Sequence, residues 1–147
     1  MVWLTLVLAL MWPVPAPLSK ELELPAAPWL AGHRGLDLAA GPGTAVRSPR
    51  AGTVVFAGDV AGKPVVVISH GWVRATYEPV SGVLPVGAQV TSGTVIGYVA
   101  TGESHCAGQC LHWGLRAGER YLDPRLLLQT RAILRPHPVG AAQSARR

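Results

Sequence analysis

The amino-acid sequence predicts an all-β domain, a compact antiparallel barrel or sandwich. Three observations carry that expectation. Runs of β-branched and aromatic residues bounded by glycine recur along the middle of the chain. Between them no stretch shows the 3.6-residue apolar period of an amphipathic helix. The 147 residues include 17 Gly and 13 Pro, a density of turn formers that suits short strands joined by close turns.

An apolar run from Val2 to Trp12 comes first and is followed by Pro13-Val14-Pro15-Ala16. Eleven residues are short for a bilayer span, and Val14-x-Ala16 has the small-residue pattern of a signal-peptidase site. Residues 1–16 are therefore expected to be a signal peptide and the protein to be secreted or held at the cell envelope. No basic residue precedes Val2, so an uncleaved anchor is the alternative, and this segment is the one membrane contact expected. Residues 17–30 are Pro-rich, carry Lys20, Glu21 and Glu23, and are expected to be a linker. The β domain is assigned to residues 31–128.

Within it, GTVVFAG (52–58), PVVVIS (64–69), WVRATY (72–77) and TVIGYV (94–99) are the expected strands. Residues 38–44 are expected to form a turn, and His70 to end a strand at a hairpin. In Cys110-Leu111-His112-Trp113, alternation sets Cys110 and His112 on one face of a strand and Leu111 and Trp113 on the other. A short helix or turn follows Asp123-Pro124, and residues 129–147 form a basic tail, His137 included, expected to be disordered.

Chemistry is carried by two distant segments, His33-Arg34-Gly35-Leu36-Asp37 and the strand containing His112. Imidazole, carboxylate and imidazole suit a zinc ion that keeps one position open for water. A solvated turn is the plain reading of the first segment alone; Gly32 and Gly35 beside His33 add backbone freedom there.

The series GHRGLDLAAGPGTAV, AGTVVFAG, VVVISHG, TYEPVSGVLPVGAQVTSGTVIGYV and CLHWGL…RYLDP, spread over about residues 31 to 125, resembles the M23 family of zinc peptidases, the lysostaphin and LytM type that cut peptide cross-links of bacterial cell walls. The resemblance implies a compact LytM-like β fold, Zn²⁺ held by His33, Asp37 and His112, and peptidoglycan as partner. It also implies two departures. Pro79 stands where the family has a histidine two positions after its strand tyrosine, here Tyr77, and Cys110 stands at the first place of its His-x-His pattern. The metal ligands are kept while the acid/base pair is replaced.

Two residues are candidates to stand in. Glu78 lies next to Pro79, and a carboxylate near the metal can serve as general base, although alternation turns position 78 away from the metal if position 79 faces it. His105 lies on the loop before the ligand strand, where a solvated histidine is the plain reading. Cys106 and Cys110, the only two cysteines, are expected to form a disulfide in an oxidising compartment. A reduced Cys110 would instead close a four-ligand structural zinc site or, with less support, act as a nucleophile.

A net charge of +5 is dispersed and accompanied by no groove-reading motif, which argues against nucleic acid. It suits attraction to anionic wall polymers. Two functions remain: an exported M23-like zinc metallopeptidase acting, weakly, on peptidoglycan peptides, or a catalytically silent zinc module that binds the wall or regulates cell-wall hydrolases.

Overall fold

The computed structural model describes residues 12–101, 106 and 109–129. Eleven strands and one 3₁₀ helix make up the described chain. The larger sheet runs in the order β1 (Leu18–Lys20), β2 (Leu36–Leu38), β10 (Leu111–Ala117), β6 (Arg74–Glu78), β5 (Lys63–Ser69), β4 (Gly52–Val60) and β8 (Gln89–Val90), with β11 (Arg120–Leu122) also pairing β10. A smaller sheet has β9 (Val95–Val99) between β3 (Ala45–Arg47) and β7 (Val80–Gly82). Every pairing is antiparallel. The two sheets do not close on each other, so of the two expected architectures the sandwich is the one observed.

The core lies between the sheets. Leu36, Leu38, Val66, Ile68, Ala75, Tyr77, Leu111, Trp113 and Leu115 come from the larger sheet and meet Val46, Val80, Ile96 and Val99 from the smaller. Full burial of one such aliphatic side chain contributes about 1.5–3 kcal/mol, which sets the register. A one-residue slip of β10 would turn Leu111, Trp113 and Leu115 to solvent and His112 inward. The β4–β5 hairpin closes through Ala61-Gly62, both left-handed (φ 52° and 80°), the conformation that a two-residue type I′ turn requires.

The structure adds contacts to the segments expected to be a signal peptide and a linker. Within residues 17–30, β1 pairs β2, and Glu23 forms a bridge with His33. Residues 12–16, assigned to the signal peptide, pack on the domain, with Val14 buried, Trp12 edge-on to Trp113 at 5.9 Å, and the Pro13 carbonyl accepting from the Arg47 N–H. The physical reason is apolar area: these prolines and aliphatics cover the edge that β2 and β3 would otherwise expose. Residues 1–11 and 130–147, the rest of the expected signal peptide and nearly all of the tail, lie outside the described residues. The expected 38–44 turn joins β2 to β3, except that Leu38 ends β2, and the short helix or turn expected after Asp123 is the 3₁₀ helix Pro124–Leu128, N-capped by the Asp123 side chain.

Candidate metal centre

β2 and β10 are neighbours in register, Leu38 opposite Leu111, Asp37 opposite His112 and Leu36 opposite Trp113. Opposed residues share a face, so burying the flanking pairs in the core points Asp37 and His112 together to the other side. His112 Nδ1 lies 2.8 Å from Asp37 Oδ1. His33 enters from the segment before β2, and its Nε2 lies 3.1 Å from Asp37 Oδ2. The His33 and His112 rings meet edge to face at 5.0 Å. One donor atom from each of the three residues falls within 4.8 Å of the others. Asp37 is 1% exposed at the base of the site, while the His112 side chain is 16% exposed and opens it toward solvent.

The His33 tautomer follows from its partner. Nδ1 lies 2.8 Å from the Glu21 carbonyl oxygen, which can only accept, so Nδ1 carries the proton and donates. In the neutral ring the Nε2 lone pair then points at a carboxylate oxygen. Two acceptors 3.1 Å apart in a buried place repel unless a cation lies between them. A ring nitrogen fixed by a backbone carbonyl, with its other nitrogen turned to a carboxylate and a second imidazole, is the arrangement that suits a divalent zinc ion, and these residues fit it.

Two glycines make the approach possible, by a different means from the one the sequence suggested. Neither Gly32 nor Gly35 has a positive φ. Each stands where a Cβ has no room. At Gly35 it would lie 2.6 Å from the Trp113 carbonyl oxygen and 2.7 Å from His112 Nε2. At Gly32 it would lie 2.5 Å from the Glu23 carbonyl oxygen, inside the Glu23–His33 bridge.

Glu78 is opposite His112 on the strand flanking β10 from the other side, and so is on the face of His112. The sequence expectation that alternation turns it away is thereby corrected. β6 ends at Glu78, and Pro79, after a cis peptide bond, begins the passage to β7 in the other sheet, so Pro79 does not continue the alternation. Tyr77 faces the core opposite Trp113, and burial raises its hydroxyl pKa well above the ordinary range, keeping it neutral. Cys106 and Cys110 are joined, and the Cys106 sulfur sits 3.5 Å from Asp37 Oδ2, against the same carboxylate that faces both histidines. Those three residues form a second group of ligand types. His105 lies outside the described residues. His70 is remote, with its Nδ1–H donating to the Ala51 carbonyl at 2.8 Å.

A cavity of about 460 Å³ opens beside His112 and Glu78. Its floor is the solvent face of β10 and β6, and Phe56, Arg74, Arg116 and Tyr121 also line it. The sequence reading did not single these out. His112-x-Gly114-x-Arg116 is the signal that carried Arg116, since residues two and four further along a strand share a face. The Glu21 carbonyl left no trace in the side-chain pattern.

Residues 31–124 match the model described as Peptidase family M23. An uncharacterised protein of Mycobacterium tuberculosis (strain ATCC 25618 / H37Rv) is 43% identical over 130 residues, covering 83% of this chain and 52% of its own. The chain thus spans about half the length of the curated relatives it matches. Among solved structures, a candidate peptidase M23 of Pseudomonas aeruginosa superposes with a TM-score of 0.64 at 29% identity, over 80% of this chain and 48% of that one. Csd3 of Helicobacter pylori superposes with a TM-score of 0.67 at 27% identity, over 92% and 40%.

Proposed function

Because this chain belongs to peptidase family M23, through a matched segment covering residues 31–124, we propose that it is an exported zinc metallopeptidase that cleaves peptide bonds of peptidoglycan, and cleaves them slowly. The observation that carries the reading is the convergence of His33, Asp37 and His112, with the His33 proton committed to the Glu21 carbonyl. These three side chains would hold the ion. When bound, zinc supplies Lewis acidity, which polarises a carbonyl oxygen and acidifies water.

The chain's own residues do the rest. The partly exposed edge of His112 gives on to the groove, whose β10–β6 floor can receive an extended peptide. Glu78, on the His112 face, is the described carboxylate placed to take a proton from water or return it to a leaving amine. Slow cleavage is proposed because the remaining two positions offer no proton: Pro79 has no titratable group, and the Cys110 sulfur is bonded to Cys106. Acid/base help is worth typically ~10²–10⁴-fold.

The same two positions favour a second reading, a silent zinc module that binds the wall or regulates its hydrolases. Metal analysis of the full chain, followed by digestion of purified peptidoglycan and detection of released peptides, separates the two. Bound zinc with released fragments supports the peptidase, zinc without fragments supports the silent module, and no zinc removes both.

A further inference from the structure

Arg74 and Arg116 are directly opposed on β6 and β10. Like charges in that relation destabilise a sheet pair, and neither arginine is in an ion pair among the described residues. Both are exposed and both line the groove beside the metal centre. Tyr121, the β11 partner of Arg116, stands in the same cross-strand row, with the Arg116 guanidinium 5.9 Å from its ring centre. An aromatic face beside a guanidinium holds it in place at little entropic cost. The row therefore sets a positioned cation, Arg116, directly opposite a second, Arg74, on the groove floor, where the sheet alone would do better without one of them.

Its distance from the chemistry is fixed by the strand. His112 and Arg116 are four residues apart on one face of β10, roughly 13 Å at the rise of a strand. An extended peptide on that floor spans the gap with roughly four residues. Between the two ends the floor carries Gly114 opposite Thr76, a small and an uncharged residue, with the Arg34 carbonyl oxygen 3.5 Å from where a Gly114 Cβ would lie. Glu78 stands at the metal end and Arg74 and Arg116 at the far end, while Arg34, which also lines the groove, lies 5.7 Å from the Tyr121 ring centre and donates to the Pro28 and Leu30 carbonyls.

We infer that Arg74 and Arg116 form a carboxylate-binding subsite, and that the groove takes an acidic peptide whose free carboxylate lies about four residues from the bond held at the metal centre. The inference rests on the reading of the groove as a peptide site and names its substrate class. Two guanidinium groups on one carboxylate are the charge-assisted, geometrically specific arrangement in which arginine excels.

The test reads binding rather than cleavage. The full chain, with no zinc added, is titrated with acetyl-Ala-Ala-Ala-Ala-Glu-amide and acetyl-Glu-Ala-Ala-Ala-Ala-amide and with their glutamine counterparts, and backbone amide shifts are followed by NMR. At low ionic strength one acidic peptide is expected to bind about tenfold more tightly than its neutral counterpart. That preference should shrink at about 1 M salt, where the screening length is about 3 Å. Arg74→Gln and Arg116→Gln should each reduce it and the double variant remove it, whereas Lys63→Gln, an equal loss of charge at the distant β4–β5 turn, should leave it. The inference is overturned by an absent preference, by one that survives the double variant, or by one that Lys63→Gln removes equally well. It is also overturned if inorganic phosphate shifts the Arg74 and Arg116 amides while neither acidic peptide does, since the subsite would then serve a phosphate-bearing polymer. A chain that shows the preference yet releases no wall fragments when loaded with zinc refutes the peptidase reading alone.

Discussion

Asp37 and His112 are cross-strand partners, and the 2.8 Å between Asp37 Oδ1 and His112 Nδ1 is the contact from which the rest of the site is built. It exists because Leu36, Leu38, Leu111 and Trp113, their neighbours on the two strands, are all fully buried on the opposite face. Hydrophobic registration brings the two polar groups together, and His33 completes the set from outside the strand.

That relationship predicts the metal content. Zinc should be present at one ion per chain in the parent and lost in His112→Ala, which removes one ligand of three and exposes Asp37. Elemental analysis after dialysis against a low concentration of chelator is the check. Stoichiometric zinc in His112→Ala would show that the ion sits elsewhere.

The ring of His112 should depend on Gly35 sterically. Gly35→Ala places a methyl 2.6 Å from the Trp113 carbonyl oxygen and 2.7 Å from His112 Nε2. The backbone or the ring must move, at about 1–3 kcal/mol, and zinc affinity should fall with it. Gly41→Ala has nothing within 4 Å and should be close to neutral. Urea melts of both variants beside the parent decide this, and equal midpoints would defeat the steric account.

Glu78 gives the prediction about rate. If its carboxylate carries the residual proton transfer, Glu78→Gln should lower peptidoglycan cleavage by about 10²-fold or more, with zinc content and thermal midpoint unchanged. The isosteric amide keeps the cross-strand packing and removes only the proton chemistry. Undiminished cleavage in Glu78→Gln would leave His105 or another group as the base.

His70 predicts an acid-sensitive part of the stability. Burial lowers its pKa below the ordinary 6.5, with Arg50 adding to the effect and the hydrogen bond to Ala51 opposing it. The folded chain therefore resists protonation at His70, while the unfolded chain takes up the proton at about 6.5. As the pH falls below that value the unfolded state binds more protons and stability drops, until the lowered folded pKa is passed. Above about 6.5 the contribution is fully present. Denaturant midpoints at pH 7.5 and 5.5 should differ less in His70→Asn than in the parent; an unchanged difference would assign the acid sensitivity to other groups.

Much of this protein is legible in its residues alone. β-branched runs between glycines located the strands at 52–58, 64–69, 72–77 and 94–99 to within a few residues, because burial on a pleated sheet selects those side chains wherever they occur. The co-linear motifs pointed to the family, and ligand chemistry singled out His33, Asp37 and His112.

The β character, the ligand types and the family needed no more than the amino-acid sequence, since each of these is written in residue identity and local spacing. Contacts between distant segments settled the rest. Strand β2 is three residues long and has no period of its own; pairing with β10 on one side and β1 on the other is what makes Asp37 a buried strand residue. Residues 12–30 have the composition of a signal and a linker, and became part of the domain because a sheet edge and an apolar surface were there to be covered. Glu78 turned to the groove, where alternation counted from Pro79 had turned it away, because β6 stops at Glu78 and the chain leaves for the other sheet. Even the His33 tautomer depends on a carbonyl 12 residues away in sequence. Each of these was set by one segment lying against another, and neither composition nor period records which segment will lie next to which.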